Sequence, residues 1–378
     1  MSDRHTVIID GLRSPIGVKG GQMLGMRSDD LSTILIKSLL ERNSSINHKN
    51  IEDIVMGCAF PEGPQGMLMA KGVAILSGLP DSTTGKVVNR FCGSSMDALH
   101  QLSQAINSND IDCGIACGVE DMFGVPMGGF SPSFHPDLYE KEFYMGMGET
   151  AENLSKELDI SRQDQEDFAV NSHKKALNAS SKGHFSNEIL PISFNGNTIN
   201  QDEGPREPNI EKIQSLDPAF DSDGTITAAT SSPISIGASA LLVSSNKLAE
   251  ESGLKPEFKV LSRAIAGVDW IKMGMGPLPA TEKALKKANL SMGDIDVIEL
   301  NEAFAAQSLY VIRKGGWDIN KINLNGGAIA LGHPLGCSGS RIIVTLMNVM
   351  KQQDAKYGLA TMCIGTGQGI ATILERVK

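Results

Sequence analysis

Two periodicities alternate along this chain. Short apolar runs at residues 54–59, 86–89, 111–119, 297–300, 322–325, 359–363 and 369–375 read as strands, preceded by a first strand in His5-Thr6-Val7-Ile8-Ile9-Asp10. Residues 111–119 are continuously apolar, the mark of a strand covered on both faces. Between these runs, residues 67–77, 94–106, 280–288, 303–314 and 338–350 read as helices. In the second of them Met96, Leu99, Leu102 and Ile106 share one face. Strand–helix alternation of this kind predicts an α/β fold with mostly parallel sheets.

The pattern also repeats. Asp53-Ile54-Val55-Met56 resembles Asp296-Val297-Ile298-Glu299, Cys92-Gly93-Ser94 resembles Cys337-Ser338-Gly339, and Gly114-Ile115-Ala116 resembles Gly358-Leu359-Ala360. The three matches keep one order and nearly one spacing, which predicts two similar halves. Residues 120–220 differ in character. They are loop-rich and punctuated by proline, with one good helix at 161–180, where Ser161 serves as N-cap and Asp164 completes a capping box. Ile189, Ile192 and Phe194 give this insertion apolar surface worth burying, so it reads as a lid or binding loop and not as a linker.

Composition narrows the class. With 378 residues, 41% hydrophobic and 21% charged, the chain can bury one large core or two ordinary ones, which excludes a disordered, collagen-like or coiled-coil protein. A net charge of −10 argues against nucleic acid or an anionic membrane as partner, while 34 basic residues leave room for one anion-binding patch. The cysteines at 58, 92, 113, 117, 337 and 363 contain no CxxC and no zinc spacing, so reduced thiols and no metal site are expected. The charge-free stretch 358–374 is broken by glycines and reads as strand, loop and strand, not as a membrane span. No targeting signal and no peroxisomal address at Glu375-Arg376-Val377-Lys378 are visible, so a soluble cytoplasmic protein is expected.

Four segments carry candidate chemistry. In Arg90-Phe91-Cys92-Gly93-Ser94-Ser95-Met96 a thiol falls at a helix start, where the dipole and free N–H groups would lower its pKa; a buried structural cysteine fits the same residues. His333 stands in the glycine-rich loop Gly332-His333-Pro334, either as a proton-transfer group or as a satisfied loop histidine. Cys363-Ile364-Gly365-Thr366-Gly367 ends a strand and exposes backbone donors suited to an oxyanion hole. Asn301-Glu302-Ala303-Phe304 follows a strand, where α/β sheets place their ligands.

Together these segments, in order and spacing, resemble the thiolase family over nearly the whole chain, and most closely its bacterial fatty-acid-degradation 3-ketoacyl-CoA members. The resemblance implies a thiolase-like α/β fold: a five-layer αβαβα stack of two similar halves, 1–249 and 254–378, with a loop domain inserted at about residues 120–220. It implies that Cys92 attacks the 3-keto carbonyl, that His333 activates it, and that Cys363 protonates the departing enolate. Asn301, through a water, and His333 would hold one thioester oxygen, and the N–H groups of Cys92 and Gly365 the other.

Coenzyme A would be a substrate and not a tightly held cofactor. Ser232 would contact its pantetheine, Met147 would lie beside the acyl group, and Arg206 would be either a phosphate-side contact or an ordinary surface charge. Three departures stand out: Ile236 replaces a usual Asp, Pro233 a small residue and Thr366 a frequent Gly. Ile236 puts the pantetheine loop in question. A homodimer or dimer of dimers is implied, with a hydratase–dehydrogenase subunit as a further partner. The alternatives are an acetoacetyl-CoA thiolase working mainly in condensation and a non-catalytic acyl-CoA-binding paralogue.

Overall fold

The computed structural model describes residues 4–377. Its first half contains strands β1 (Thr6–Arg13), β2 (Asp53–Gly57), β3 (Thr84–Val88), β4 (Cys113–Asp121) and β5 (Ser235–Ser245). The second contains β6 (Phe258–Gly267), β7 (Val297–Leu300), β8 (Tyr357–Ile364) and β9 (Gln368–Arg376). The first sheet runs β3-β2-β4-β5-β1, and the second β7-β8-β9-β6. Apart from β3, which has no counterpart in the second half, both halves use one strand order, and the echoed segments fall on or next to matching elements. β1 and β6 join the two sheets through Val7–Lys259 and Ile8–Phe258.

Helices fill the spaces between and outside the sheets. Helices α1 (Ser28–Arg42) and α2 (Met69–Leu76) cover the outer face of the first sheet, packing Leu35, Leu39 and Val73 against Ile54, Met56 and Ile115. The middle layer is α3 (Ser94–Asn107) with the last long helix, Leu335–Gln352, and it takes the opposite strand faces: Val55 and Ala116 from one sheet, Ala360 and Met362 from the other. Alternation along each strand is what feeds two cores at once. These two helices cross so closely that a Cβ on Gly339 would collide with the Met96 backbone nitrogen. In the insertion, α4 (Met147–Glu157) and α5 (Arg162–Ser181) precede a two-stranded hairpin, Ile192–Phe194 with Asn197–Ile199. In the second half, α6 (Pro277–Ala288) and α7 (Ala305–Gly315) cover the outer face, packing Ala284 and Val311 against Ile298 and Leu359. The last helix, Leu335–Gln352, is α8 below.

Three expectations need correction. The sheets are mixed: β2 is parallel to β3 and β4, and β7 to β8, but the other pairings are antiparallel. The last strand of each half returns against its neighbours, and a strand buried on both faces reads the same in either direction. Residues 322–325 form no strand, only a bridge from Ile322 to Ile298. Asn323, at φ +47, leaves the extended region, and its side chain takes the place of a partner strand. Its Oδ1 accepts from Leu300 N–H (2.9 Å) and its Nδ2 donates to the Leu300 carbonyl (2.8 Å). The insertion also holds a second well-built helix, α4, whose apolar spacing is masked by Gly148, Thr150 and Glu152 on its buried face. Helix α5 has the expected cap: Ser161 Oγ accepts from Asp164 N–H (3.1 Å). No helix among the described residues is long and apolar enough to cross a membrane.

Candidate active site

Strand β3 leads into a strained turn. Phe91 is held at φ +43, a left-handed conformation costing roughly 1–3 kcal/mol for such a residue. The surrounding polar groups fix it. Asn89 Oδ1 accepts from Phe91 N–H (2.9 Å), Ser94 Oγ accepts from Arg90 N–H (2.9 Å), and the Ser94 hydroxyl donates to the Phe91 carbonyl (2.6 Å). Cys92 therefore sits in a single 3-10 turn, Phe91–Gly93, just ahead of α3. Gly93 leaves room for the Ile364 side chain, whose Cδ1 would lie 2.6 Å from a Cβ here. Cys92 is 8% exposed, and it faces a cavity of about 550 Å³ at the join between the halves and the insertion.

The second half brings His333 to the same cavity. Gly332, at φ +113, turns the chain, and the His333 N–H is fixed on Ser235 Oγ (3.1 Å). The ring's Nδ1 lies 2.6 Å from Ser338 Oγ. Because the Ser338 hydroxyl donates to the Pro334 carbonyl (2.8 Å), its oxygen accepts from His333 Nδ1–H. That network assigns the proton to Nδ1 and makes Nε2 the basic nitrogen. Asn301 Nδ2 approaches Nε2 at 3.4 Å, while Asn301 Oδ1 is buried with no hydrogen-bond partner among the described residues. An unsatisfied buried oxygen there suits a bridging water.

Cys363 lies near the end of β8, fully buried among Met147, Ala303 and Phe304. The β8–β9 turn places Thr366 at φ +65 and Gly367 at φ +81. A left-handed Thr366 explains why glycine suits this position. Gly365 N–H donates toward the Cys92 sulfur, and a Cβ on Gly365 would touch Met147 Sδ and the Phe91 ring.

Electrostatics overturn one expectation. Burial pushes the Cys92 thiol up to about 11, outweighing the Gly365 N–H and its own N–H, which pull it down. The start of a helix does not make this thiol acidic once the site excludes water. Burial, with Arg341 nearby, pushes His333 down to about 3. Burial and then Cys92 push Cys363 upward. The resting site therefore holds two neutral thiols and a neutral imidazole at pH 7.

Of the other residues singled out from the sequence, Ser232 and Met147 line the cavity, and so does Met273. Arg206 does not. It lies in a neighbouring cavity of about 440 Å³ with His173 and Lys212, and the strip from Ala228 to Ile234 runs along both. Its N–H donates to His173 Nδ1 (3.4 Å). Ile236 is buried in the outer core of the first half, away from the cavity, so the loop around Ser232 is shaped by other contacts: a bridge from Ser231 to Phe304 and the Ser232 hydroxyl on the Ala303 carbonyl (3.0 Å).

Sequence reasoning missed the residues that hold these groups in place. Ser235 and Ser338 fix His333. Glu120 accepts from the N–H groups of Ala59 (2.7 Å) and Gly336 (2.8 Å), tying β4 to the loop after His333. Glu302 accepts from Ser172 Oγ (2.7 Å) and Asn323 Nδ2 (2.9 Å), so it braces the loop and does not face substrate. Only Ser338 carried a usable signal, five residues after His333 in the echoed segment.

Comparisons with known proteins agree along the whole chain. The family model described as "Thiolase, N-terminal domain" matches residues 6–247, and "Thiolase, C-terminal domain" matches residues 254–376. A curated "3-ketoacyl-CoA thiolase" of Marinomonas sp. (strain MWYL1) is 49% identical over 391 aligned residues, covering 100% of both chains. One of Idiomarina loihiensis is 48% identical, covering 99% of this chain and 100% of its own. One of Vibrio cholerae is 50% identical, covering 98% and 99%.

Proposed function

The chain belongs to the thiolase family, and from that premise we propose that it is an acyltransferase cleaving 3-ketoacyl-CoA with coenzyme A into acetyl-CoA and a shortened acyl-CoA. The observation that carries the reading is that a strained turn and a glycine-turned loop bring Cys92 and an imidazole protonated on Nδ1 to one cavity. Residues 1–249 supply the nucleophile and residues 254–378 the base, the second thiol and Asn301.

In this reading His333 Nε2 takes the Cys92 proton as Sγ attacks the 3-keto carbon. The C2–C3 bond then breaks, its electron pair passes to C2 as the acetyl-CoA enolate, and Cys363 protonates that carbon. The acyl group stays on Cys92 as a thioester until a second coenzyme A, its thiol proton taken by the Cys363 thiolate, attacks the acyl carbon; the C–S bond to Cys92 breaks and His333 returns its proton to the departing Cys92 sulfur. The N–H groups of Cys92 and Gly365 stabilise the acyl oxyanion, each such donor worth about 3–4 kcal/mol of barrier. Asn301, through a water, and His333 hold the enolate oxygen. Coenzyme A is consumed as a substrate, and no tightly bound cofactor is needed. Its pantetheine runs past Ser232, with its nucleotide end toward Arg206 and Lys212.

Met122, Met127, Met147, Met273 and Phe220 give the cavity an apolar, adaptable wall. Such a wall favours chains longer than acetoacetyl-CoA. Initial thiolysis rates against a ladder of 3-ketoacyl-CoA chain lengths test this: faster turnover of longer chains supports it, and preference for acetoacetyl-CoA would return the condensing alternative. No thiolysis together with no acyl-enzyme would leave the non-catalytic paralogue.

A homodimer is part of the same proposal. The outer edge of β3 is unpaired, and beside it Met67 is 99% exposed and held with Leu68 in left-handed backbone, while Ile75 and Leu76 of α2 are exposed. An apolar, open sheet edge of this kind suits a two-fold copy. A cytoplasmic location and a hydratase–dehydrogenase partner handing over 3-ketoacyl-CoA complete the reading; a native pull-down tests the latter.

A further inference from the structure

The first strands of the two halves, β1 and β6, are equivalent. Each pairs with the last strand of its half through a register that skips one residue, Ile9 in β1 and Leu261 in β6. Four residues beyond each skip stand Arg13 and Ile265, which therefore occupy the same place on their strand edges.

The edge at Arg13 is covered. Arg13 N–H donates to the Glu188 carbonyl (2.8 Å), Leu190 N–H donates to the Arg13 carbonyl (2.9 Å), and Ile189 bridges Arg13 in parallel. The covering segment brings a carboxylate, since Arg13 Nε donates to Glu188 Oε1 (2.7 Å). The edge at Ile265 has no such segment, because the second half carries no insertion. Alternate residues of β6 turn their peptide groups outward there: Lys287 Nζ donates to the Arg263 carbonyl (2.9 Å) and Lys283 Nζ to the Ile265 carbonyl (3.4 Å). A groove of about 530 Å³ follows this edge, walled by His100 and Gln104 of α3 and by Lys287 of α6. Arg263 is half-buried, and its Nε has no hydrogen-bond partner among the described residues. No ion pair among the described residues includes Arg263, Lys283 or Lys287.

We propose that this groove takes an extended, acidic segment of another polypeptide, added as a strand to the open edge of β6. The chain carries −10 overall, yet three cations without carboxylates gather at one unpaired edge, so the groove's charge selects an acidic occupant. The first half shows what such an edge accepts: backbone pairing through a single parallel bridge at Ile189, with a glutamate reaching the arginine. Backbone pairing gives the affinity and the cations give the preference. Edge lysines can also serve merely to block unwanted pairing, but blocking requires neither a groove nor an unpartnered guanidinium nitrogen.

The test uses the full-length protein and a capped, fluorescein-labelled heptapeptide of alternating glutamate and valine, followed by anisotropy at low ionic strength. The expected result is saturable binding with slower amide exchange at Arg263 and Ile265. A Lys283→Glu/Lys287→Glu variant should bind roughly tenfold more weakly or worse, with thiolysis unchanged. The same peptide with N-methylated backbone should not bind. Four results overturn the proposal: no saturable binding; equal binding of the N-methylated peptide; unchanged exchange across residues 261–267; or full competition by inorganic phosphate, which would make this a simple anion site. Self-association of Lys283→Ala/Lys287→Ala without peptide binding would assign the lysines to edge blocking.

Discussion

Removing one buried hydroxyl should slow the chemistry without touching substrate binding. Ser338 is fully buried, does not line the cavity, and accepts from His333 Nδ1–H at 2.6 Å. In the resting enzyme that bond joins two neutral groups, worth about 1 kcal/mol net. When Nε2 takes the Cys92 proton the ring becomes an imidazolium, and the same bond becomes charge-assisted, worth about 1.5–3 kcal/mol. The difference, about 0.5–2 kcal/mol, is the transition-state stabilisation lost in Ser338→Ala, which converts to roughly 2–30-fold in kcat. KM should stay within about twofold, because uniform binding is not affected. Rapid-quench mass spectrometry of acetyl-CoA acylating Cys92, alongside steady-state thiolysis, reads both quantities. Unchanged acylation, or a rise in KM with kcat intact, would refute the tautomer assignment and the role given to Nε2.

Three further outcomes are expected. Cys363→Ala should still exchange acetyl groups between coenzyme A analogues but lose carbon–carbon cleavage, since acylation needs only Cys92, His333 and an oxyanion hole; equal loss of both activities would give Cys363 a structural role. Iodoacetamide should alkylate Cys92 ahead of the other five cysteines, at a rate that climbs from pH 7 to pH 10 as a thiol near 11 ionises; a plateau near pH 7 would mean a pre-formed thiolate. Burial holds His100 and His333 at about 3 and His173 at about 4, against 6.5 when unfolded. Below pH 6.5 the unfolded chain therefore binds protons that the folded one does not, and stability falls with pH by up to about 1.4 kcal/mol per unit for each histidine. His100→Gln should remove about one proton from that slope in urea melts between pH 7 and pH 5, and an unaltered slope would contradict it.

Local structure is legible in the residues alone. Several strand and helix positions follow from spacing: the predicted helix over 94–106 is α3, and the glycine-broken stretch 358–374 is a strand, a turn and a strand, whereas α1, β5 and β6 are not read from it. The duplication was also legible, because equivalent elements with equivalent burial keep similar residues at similar spacing. The reactive side chains could be named because each stands in a short motif.

Properties that depend on distant residues emerge only once the chain is folded. Strand direction is one: β5 is buried along its whole length and β9 along most of its own, and only their neighbours show that they run antiparallel. The loss of a strand at Asn323 is another, for a side chain replaces the backbone pairing that the apolar run promised. The ionisation of Cys92 is the clearest case. Its place before a helix is written in the sequence and argues for a low pKa, but burial depends on walls such as Met147 that the fold brings from elsewhere, and burial outweighs the Gly365 N–H that pulls the thiol down. A nucleophile that is neutral at rest needs the base at His333, and that base points its lone pair the right way only because Ser338 accepts its other proton.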